Sequence, residues 1–207
     1  MRLTDEGLKD RQVWLDHGYT LPQYDRERMR QATLATPRWI HFGAGNIFRA
    51  YQTRLMQKLI EAGEVSEGLI AAEGYDDEIV DGMLNPHDDL NILVTLKASG
   101  SVEKTVIGSL AAALKLDPAS ADFTTLRNLF IQPSLQLASF TITEKGYRVR
   151  DEKGQILPEI ALSLNGGRRR RSAISARLPR CFPHGIKTGR CRSRWSVWTT
   201  VRTMVKS

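Results

Sequence analysis

Arg38 to Gly63 read "RWIHFGAGNIFRAYQTRLMQKLIEAG", and the change of period inside this stretch is the key to the architecture. Trp39, Ile40, His41 and Phe42 form an apolar run of strand length. Gly43-Ala44-Gly45 allow a tight turn. From Asn46 onward Ile47, Tyr51, Leu55 and Leu59 recur at helical spacing, and Met56 and Ile60 widen that face. Gly63 is a natural terminator. The reading is strand, glycine turn, helix. A strand feeding directly into a helix leaves the first-turn N–H groups unpaired and converging, at the positive end of the helix dipole. Glycines let a phosphate approach such a backbone closely, as in the dinucleotide fingerprint G-x-G-x-x-G. Gly43 and Gly45 match two of its positions, but the third is Phe48, so a ligand-free tight turn is an equal reading of these residues alone.

Two residues outside the turn favour a ligand. Arg49 falls in the first helical turn, where a guanidinium can reach a phosphate. Leu69–Ala72 reads as the next strand, and Glu73 stands just past its end, the place for an acid that accepts hydrogen bonds from an adenosine ribose. An acid there favours NAD over NADP, because a 2′-phosphate would be repelled. The plain alternative for Glu73 is an exposed loop acid among Asp76, Asp77 and Glu78.

Further out, "TDEGLKDRQVWLDHGY" suggests a short helix capped by Thr4 with Leu8, Val13 and Leu15 on its apolar face. "TLPQYDRERMRQATLATP" is polar and irregular, with about two helical turns after Pro22 and a stop at Pro37. Asp76–Leu84 suggests a helix ending before Pro86. "LNILVTLKASGSVEKTVIGSL" reads as a hairpin around Ala98-Ser99-Gly100. Asp117 and Pro118 open a helix with Phe123, Leu126, Leu129 and Phe130 as its core face. "LQLASFTITEKGY" is a strand ending in a polar turn, and "RVRDEKGQILPE" a hairpin or loop. This alternation predicts an α/β fold with a largely parallel sheet: an incomplete Rossmann-like dinucleotide-binding domain over residues 38–159, preceded by a helical and irregular segment over 1–37.

The charge is divided. All 23 acids lie at or before Glu159, together with 18 of the 30 Lys and Arg; residues 160–207 carry the other 12 and no acid. Cys181 and Cys191 sit in this tail, at a spacing that fits neither a redox pair nor a zinc site. No metal site is expected. No apolar run approaches the roughly 20 residues needed to span a bilayer, and the N-terminus lacks a signal-peptide core. The expectation is a cytoplasmic protein with no membrane partner.

"WIHFGAGNIFRAYQ" followed by "SFTITEKGY" resembles the N-terminal domain of the mannitol dehydrogenase family of long-chain polyol and sugar-acid dehydrogenases. "GLIAAEGYDDEIVDGMLNPHDDLNILVTLKASGS" is most similar to its D-mannonate oxidoreductase (fructuronate reductase) branch. Phe48 and Tyr51 stand where polyol-type members usually have histidines, which tilts the resemblance toward a sugar acid. It implies NAD as cofactor. Gly43, Ala44, Gly45, Asn46, Ile47, Phe48 and Arg49 would surround its phosphates, with Glu73 at the ribose and Thr143, Glu144, Lys145 and Gly146 near the nicotinamide half. It also implies hydride transfer to or from a secondary alcohol carbon of a small sugar-acid substrate, with a lysine as acid or base in a helical C-terminal domain. No catalytic residue of that kind is expected in this chain, which is therefore expected to be inactive by itself.

The tail "NGGRRRRSAISARLPRCFPHGIKTGRCRSRWSVWTTVRTMVKS", Asn165 to Ser207, bears on that absence. Trp and Met have single codons. Read one base out of register, Trp198-Thr199 gives Asp and Met204-Val205 gives Gly, at the spacing of the family's D-N-x-x-x-N-G segment. The remaining codons permit its asparagines. The tail thus reads as an out-of-frame, unstructured translation. The alternatives are a nucleic-acid-binding arm using Arg168–Arg171 with Trp195 and Trp198, or a nucleotide-binding module without catalysis.

Overall fold

The structure is a computed structural model that describes residues 1–141 and 154–156, and the backbone of 196–199. The chain opens with a turn in which the Thr4 hydroxyl accepts from Gly7 N–H at 3.0 Å, then α1 (Arg11–Asp16). Thr4 therefore caps a turn rather than the helix. Trp14 is the buried residue of α1, and Leu15 faces out. After β1 (Tyr19–Thr20) comes α2 (Arg26–Ala35), longer than its polar sequence suggests and capped by Asp25, whose carboxylate accepts from Arg28 N–H.

Next is β2 (Trp39–Phe42), the glycine turn, and a helix that starts with a π-helical stretch, Phe48–Gln52, before continuing as α3 (Thr53–Glu61). β3 (Leu69–Glu73) follows, and it ends on Glu73 itself. Ile79–Leu84 is again π-helical, and a 3₁₀ turn, Asn85–His87, carries Pro86 beyond the expected stop. β4 (Asn91–Leu96) and β5 (Val102–Ile107) pair antiparallel as the expected hairpin. β6 (Leu110–Lys115), α4 (Ala121–Phe130), β7 (Leu137–Phe140) and β8 (Ser196–Thr199) complete the elements. Ser120, not Asp117, caps α4.

The main sheet has the order β6-β3-β2-β7-β8, and every neighbouring pair is parallel. That is a doubly wound α/β arrangement, with the strand order changing direction between β2 and β7. Its strand β3 is covered on both faces. Leu69 and Ala71 of β3 pack with Met29, Phe48, Met56 and Ile60 of the helices on one side. Ile70 and Ala72 pack with Phe123, Leu126 and Phe130 of α4 on the other. β1, β5 and β4 form a second, three-stranded sheet over a small cluster of Trp14, Leu21, Leu90 and Val106.

Three departures from the sequence reading have physical causes. β6, "LAAALK", is a strand that the sequence reading does not contain; walled in on both faces, its small side chains let the flanking layers close in. On the helix after the glycine turn the expected face holds only at Met56 and Ile60. Ile47, Tyr51 and Leu55 are exposed, while Phe48, Gln52, Thr53, Met56, Gln57 and Ile60 are buried. Two of the buried polar groups have partners: Gln57 donates to Val106 O and accepts from Gly108 N–H, and the Thr53 hydroxyl donates to Arg49 O, whereas the buried Gln52 Oε1 has none among the described residues. Apolar periodicity cannot find a core face that is half polar. α2 carries the third case. Arg26 is buried, donates through Nε to Gly108 O at 3.0 Å and pairs with Asp5 and with the carbonyl of Asp88.

Of the basic tail, only Ser196–Thr199 is described, and it forms a strand beside β7 where none was expected. The segment read as a hairpin or loop before it lies outside the described residues except for 154–156.

Candidate functional site

The glycine turn lies at the carboxyl end of β2, beside the point where the strand order reverses. In open α/β sheets this crevice is where ligands bind. Gly43 has φ +98°, and a Cβ there would stand 3.1 Å from both the carbonyl oxygen and the hydroxyl of Thr141, so any side chain at this position is strained. Gly45 is different: a Cβ there would meet nothing within 4 Å, so open space faces the backbone. The N–H groups of Gly45, Asn46 and Ile47 have no acceptor among the described residues. A glycine-lined space under converging donors fits a phosphate group.

Arg49 is half-buried above this turn. It donates to Ala44 O at 2.8 Å and to the Asn46 side-chain oxygen at 2.6 Å, which fixes the guanidinium against the turn. Burial lowers its pKa, and the nearby Glu73 charge opposes that. Glu73 is buried rather than an exposed loop acid. One carboxylate oxygen accepts from Ala44 N–H at 2.6 Å, and the other from Gly74 and Tyr75 N–H at 2.9 and 2.8 Å, with Asp76 N–H at 3.3 Å. The acid thus ties the end of β3 to the glycine turn. Ile47 points outward, and the Phe48 ring is fully buried, so these two meet the turn through their main chains. Gly43, Ala44, Gly45, Asn46, Arg49 and Glu73 are gathered at one place; Thr143, Glu144, Lys145 and Gly146 lie outside the described residues. A cleft of about 440 Å³ adjoins them, lined by Asn46 and Arg49 on one side and by Gly82, Met83, His87 and Asn91 on the other.

A polar chain under the turn was not anticipated. The Trp39 ring N–H donates to the Ser139 hydroxyl at 2.6 Å. His41 Nδ1 meets the same hydroxyl at 2.6 Å, and His41 Nε2 meets the Thr141 hydroxyl at 3.0 Å. His41 is 1% exposed, stacks on Phe48 at 4.4 Å, and has its pKa lowered to about 4 by burial. It is neutral near pH 7. The available signal was polar residues at alternate positions, Ser139 and Thr141, in a strand buried on both faces, facing a histidine in the next strand.

The fold and the turn define a Rossmann-like α/β domain. No family model matches the chain. It is 41% identical over 167 residues to the D-mannonate oxidoreductase of Thermotoga maritima, covering 81% of this chain and 31% of that protein. It is 30% identical over 141 residues to the mannitol 2-dehydrogenase of Cereibacter sphaeroides, covering 67% and 27%. Its fold matches that of Pseudomonas fluorescens mannitol 2-dehydrogenase, solved as a ternary complex with NAD and D-mannitol, with TM-score 0.68 and 23% identity over 97% of this chain and 39% of that one. A substrate-free D-sorbitol dehydrogenase matches with TM-score 0.67 and 20% identity, over 90% and 37%. Over the matched residues the chain belongs to the mannitol dehydrogenase family of polyol and sugar-acid dehydrogenases, and it spans about a third of the length of these relatives.

Proposed function

We propose that this chain carries the NAD-binding part of a cytoplasmic oxidoreductase acting on a sugar acid of the D-mannonate/D-fructuronate type. The observation that carries this reading is the open, donor-lined turn at Gly43–Gly45 in a chain 41% identical to a D-mannonate oxidoreductase. The pyrophosphate would lie against the Gly45, Asn46 and Ile47 N–H groups with Arg49 beside it. Oxygen Oε2 of Glu73, which accepts one N–H, retains a lone pair for a ribose hydroxyl, and its charge disfavours a 2′-phosphate. Thr143–Gly146 would attend the nicotinamide half, as the resemblance implies. Bound NAD supplies the hydride acceptor or donor. The resemblance assigns the proton-moving lysine to a helical domain outside the matched residues, and the 207-residue chain is expected to bind nucleotide without turnover.

Calorimetric titration of the 207-residue chain tests this. NAD is expected to bind more tightly than NADP, and Gly45→Val, which fills the open space, is expected to weaken NAD by about a hundredfold. A chain that binds neither nucleotide, or binds NADP better, sinks the cofactor assignment. Fructuronate-dependent NADH oxidation by the chain alone would overturn the claim that it does not turn over.

A further inference from the structure

Below the turn, the hydrogen-bond chain from Trp39 to Thr141 has only one arrangement that leaves no buried proton stranded. An indole N–H only donates, so the Ser139 hydroxyl must accept from Trp39. That hydroxyl has a single hydrogen of its own. Ser139 is 6% exposed, and His41 Nδ1 is the only acceptor within reach of it among the described residues. Placing the ring proton on Nδ1 instead would make Ser139 accept twice and leave its hydrogen buried without a partner. The ring proton therefore belongs on Nε2, which donates to the Thr141 hydroxyl. Having accepted, Thr141 still holds one hydrogen, for which no acceptor exists among the described residues. Its hydroxyl lies against Gly43 of the glycine turn, just past the end of β7.

We propose that the Trp39–Ser139–His41 chain fixes Thr141 as a hydrogen-bond donor to a phosphate oxygen of the nucleotide bound over the glycine turn. This rests on the nucleotide-binding reading above. Trp39, Ser139 and His41 are positioning residues that act through Thr141. The chain runs along the sheet face under Phe48, across β2 and β7 to their carboxyl ends, so the donor's direction is set before any ligand arrives and costs no reorientation on binding. Two features make the arrangement directional: a ring that can only donate starts it, and a histidine held neutral passes the direction on.

The test uses the 207-residue chain labelled with ¹⁵N-histidine. Long-range ¹H–¹⁵N correlation is expected to show His41 protonated on Nε2; protonation on Nδ1 overturns the proposal. ADP and adenosine are then titrated. Thr141→Val is expected to weaken ADP by about tenfold or more while leaving adenosine unchanged, and Thr141→Ser is expected to restore ADP binding to within about twofold of the wild type. Trp39→Phe, which leaves Thr141 in place, is expected to give a mixture of His41 tautomers and a loss in ADP affinity, again without effect on adenosine. It stands in if Thr141→Val does not fold. Wild type that binds ADP with Thr141→Val and Trp39→Phe unchanged overturns this proposal alone. Wild type that binds no nucleotide overturns the reading under it as well.

Discussion

Glu73 shows how far a single residue could be read from the sequence. Its place at the end of a short apolar strand was legible to within one residue, because strand length and the following glycine located it. Its four backbone donors were not, because they depend on how a loop folds back. Those donors make it a brace as well as a ligand candidate. Glu73→Ala strands several N–H groups, each costing about 1–3 kcal/mol if no water replaces the acid. Urea denaturation is expected to show a loss of at least ~2 kcal/mol, with Glu73→Gln losing less. Two other buried residues act on pH. His41 has its pKa lowered to about 4 by burial, so its contribution is present above about pH 6.5 and is lost as pH falls through about 4. Asp89 has its pKa raised to about 6, chiefly by burial, against the lowering charges of Arg30 and Arg26. Its contribution is therefore present below about 3.8 and is lost as pH rises through about 6. The two slopes oppose each other over nearly the same window. Melting temperature is expected to change little between pH 6.5 and 4 on their account. In Asp89→Asn only the histidine slope remains, and the melting temperature is expected to fall with pH; an unchanged profile would refute the pairing.

At the scale of elements, strands that alternate or run apolar were legible: β2, β3, β4, β5 and β7 fall where the pattern put them. β6 and the α3 face were not, for opposite reasons. β6 uses alanine where sequence logic expects branched residues, because two helical layers close on it. α3 buries Gln57, whose amide is matched by backbone partners far along the chain, and Thr53, whose hydroxyl donates to Arg49 O one turn back. The glycine half of the candidate site was legible because it is local. The Trp39–Ser139–His41–Thr141 half was not, because it exists only through the β2–β7 register. Two expectations follow for α3. Gln57→Leu removes the partners of Val106 O and Gly108 N and is expected to cost about 2–3 kcal/mol, measured by urea denaturation. Tyr51→Lys, in the π-helical stretch that leads into α3 and at a position 67% exposed, is expected to leave stability within about 0.5 kcal/mol, which is the check on its outward placement.

Across the whole molecule, apolar surface is unevenly distributed. β4 is an edge strand, and Ile92, Val94 and Leu96 alternate on an exposed face with Val102 beside Leu96. Leu96 is 77% exposed. Edge strands of this kind invite pairing with another chain. Light scattering on a concentration series is expected to show reversible self-association that is reduced by Val94→Lys, while the melting temperature of the variant stays close to the wild type. No helix among the described residues is long and apolar enough to cross a membrane.

The strand order also imposes a schedule on synthesis. Ile40 pairs with Ile70, only 30 positions later, but His41 meets Ser139 across 98. At roughly 5–20 residues per second, β7 leaves the ribosome several seconds after β3. Through that interval β2 has one partnered edge and one bare edge, and the bare one carries Trp39 and His41. A nascent chain that has freed β6 but not β7 from the ribosome would hold β6-β3-β2 with an indole and an imidazole waiting for the hydroxyls of Ser139 and Thr141, a surface of the kind that chaperones shelter.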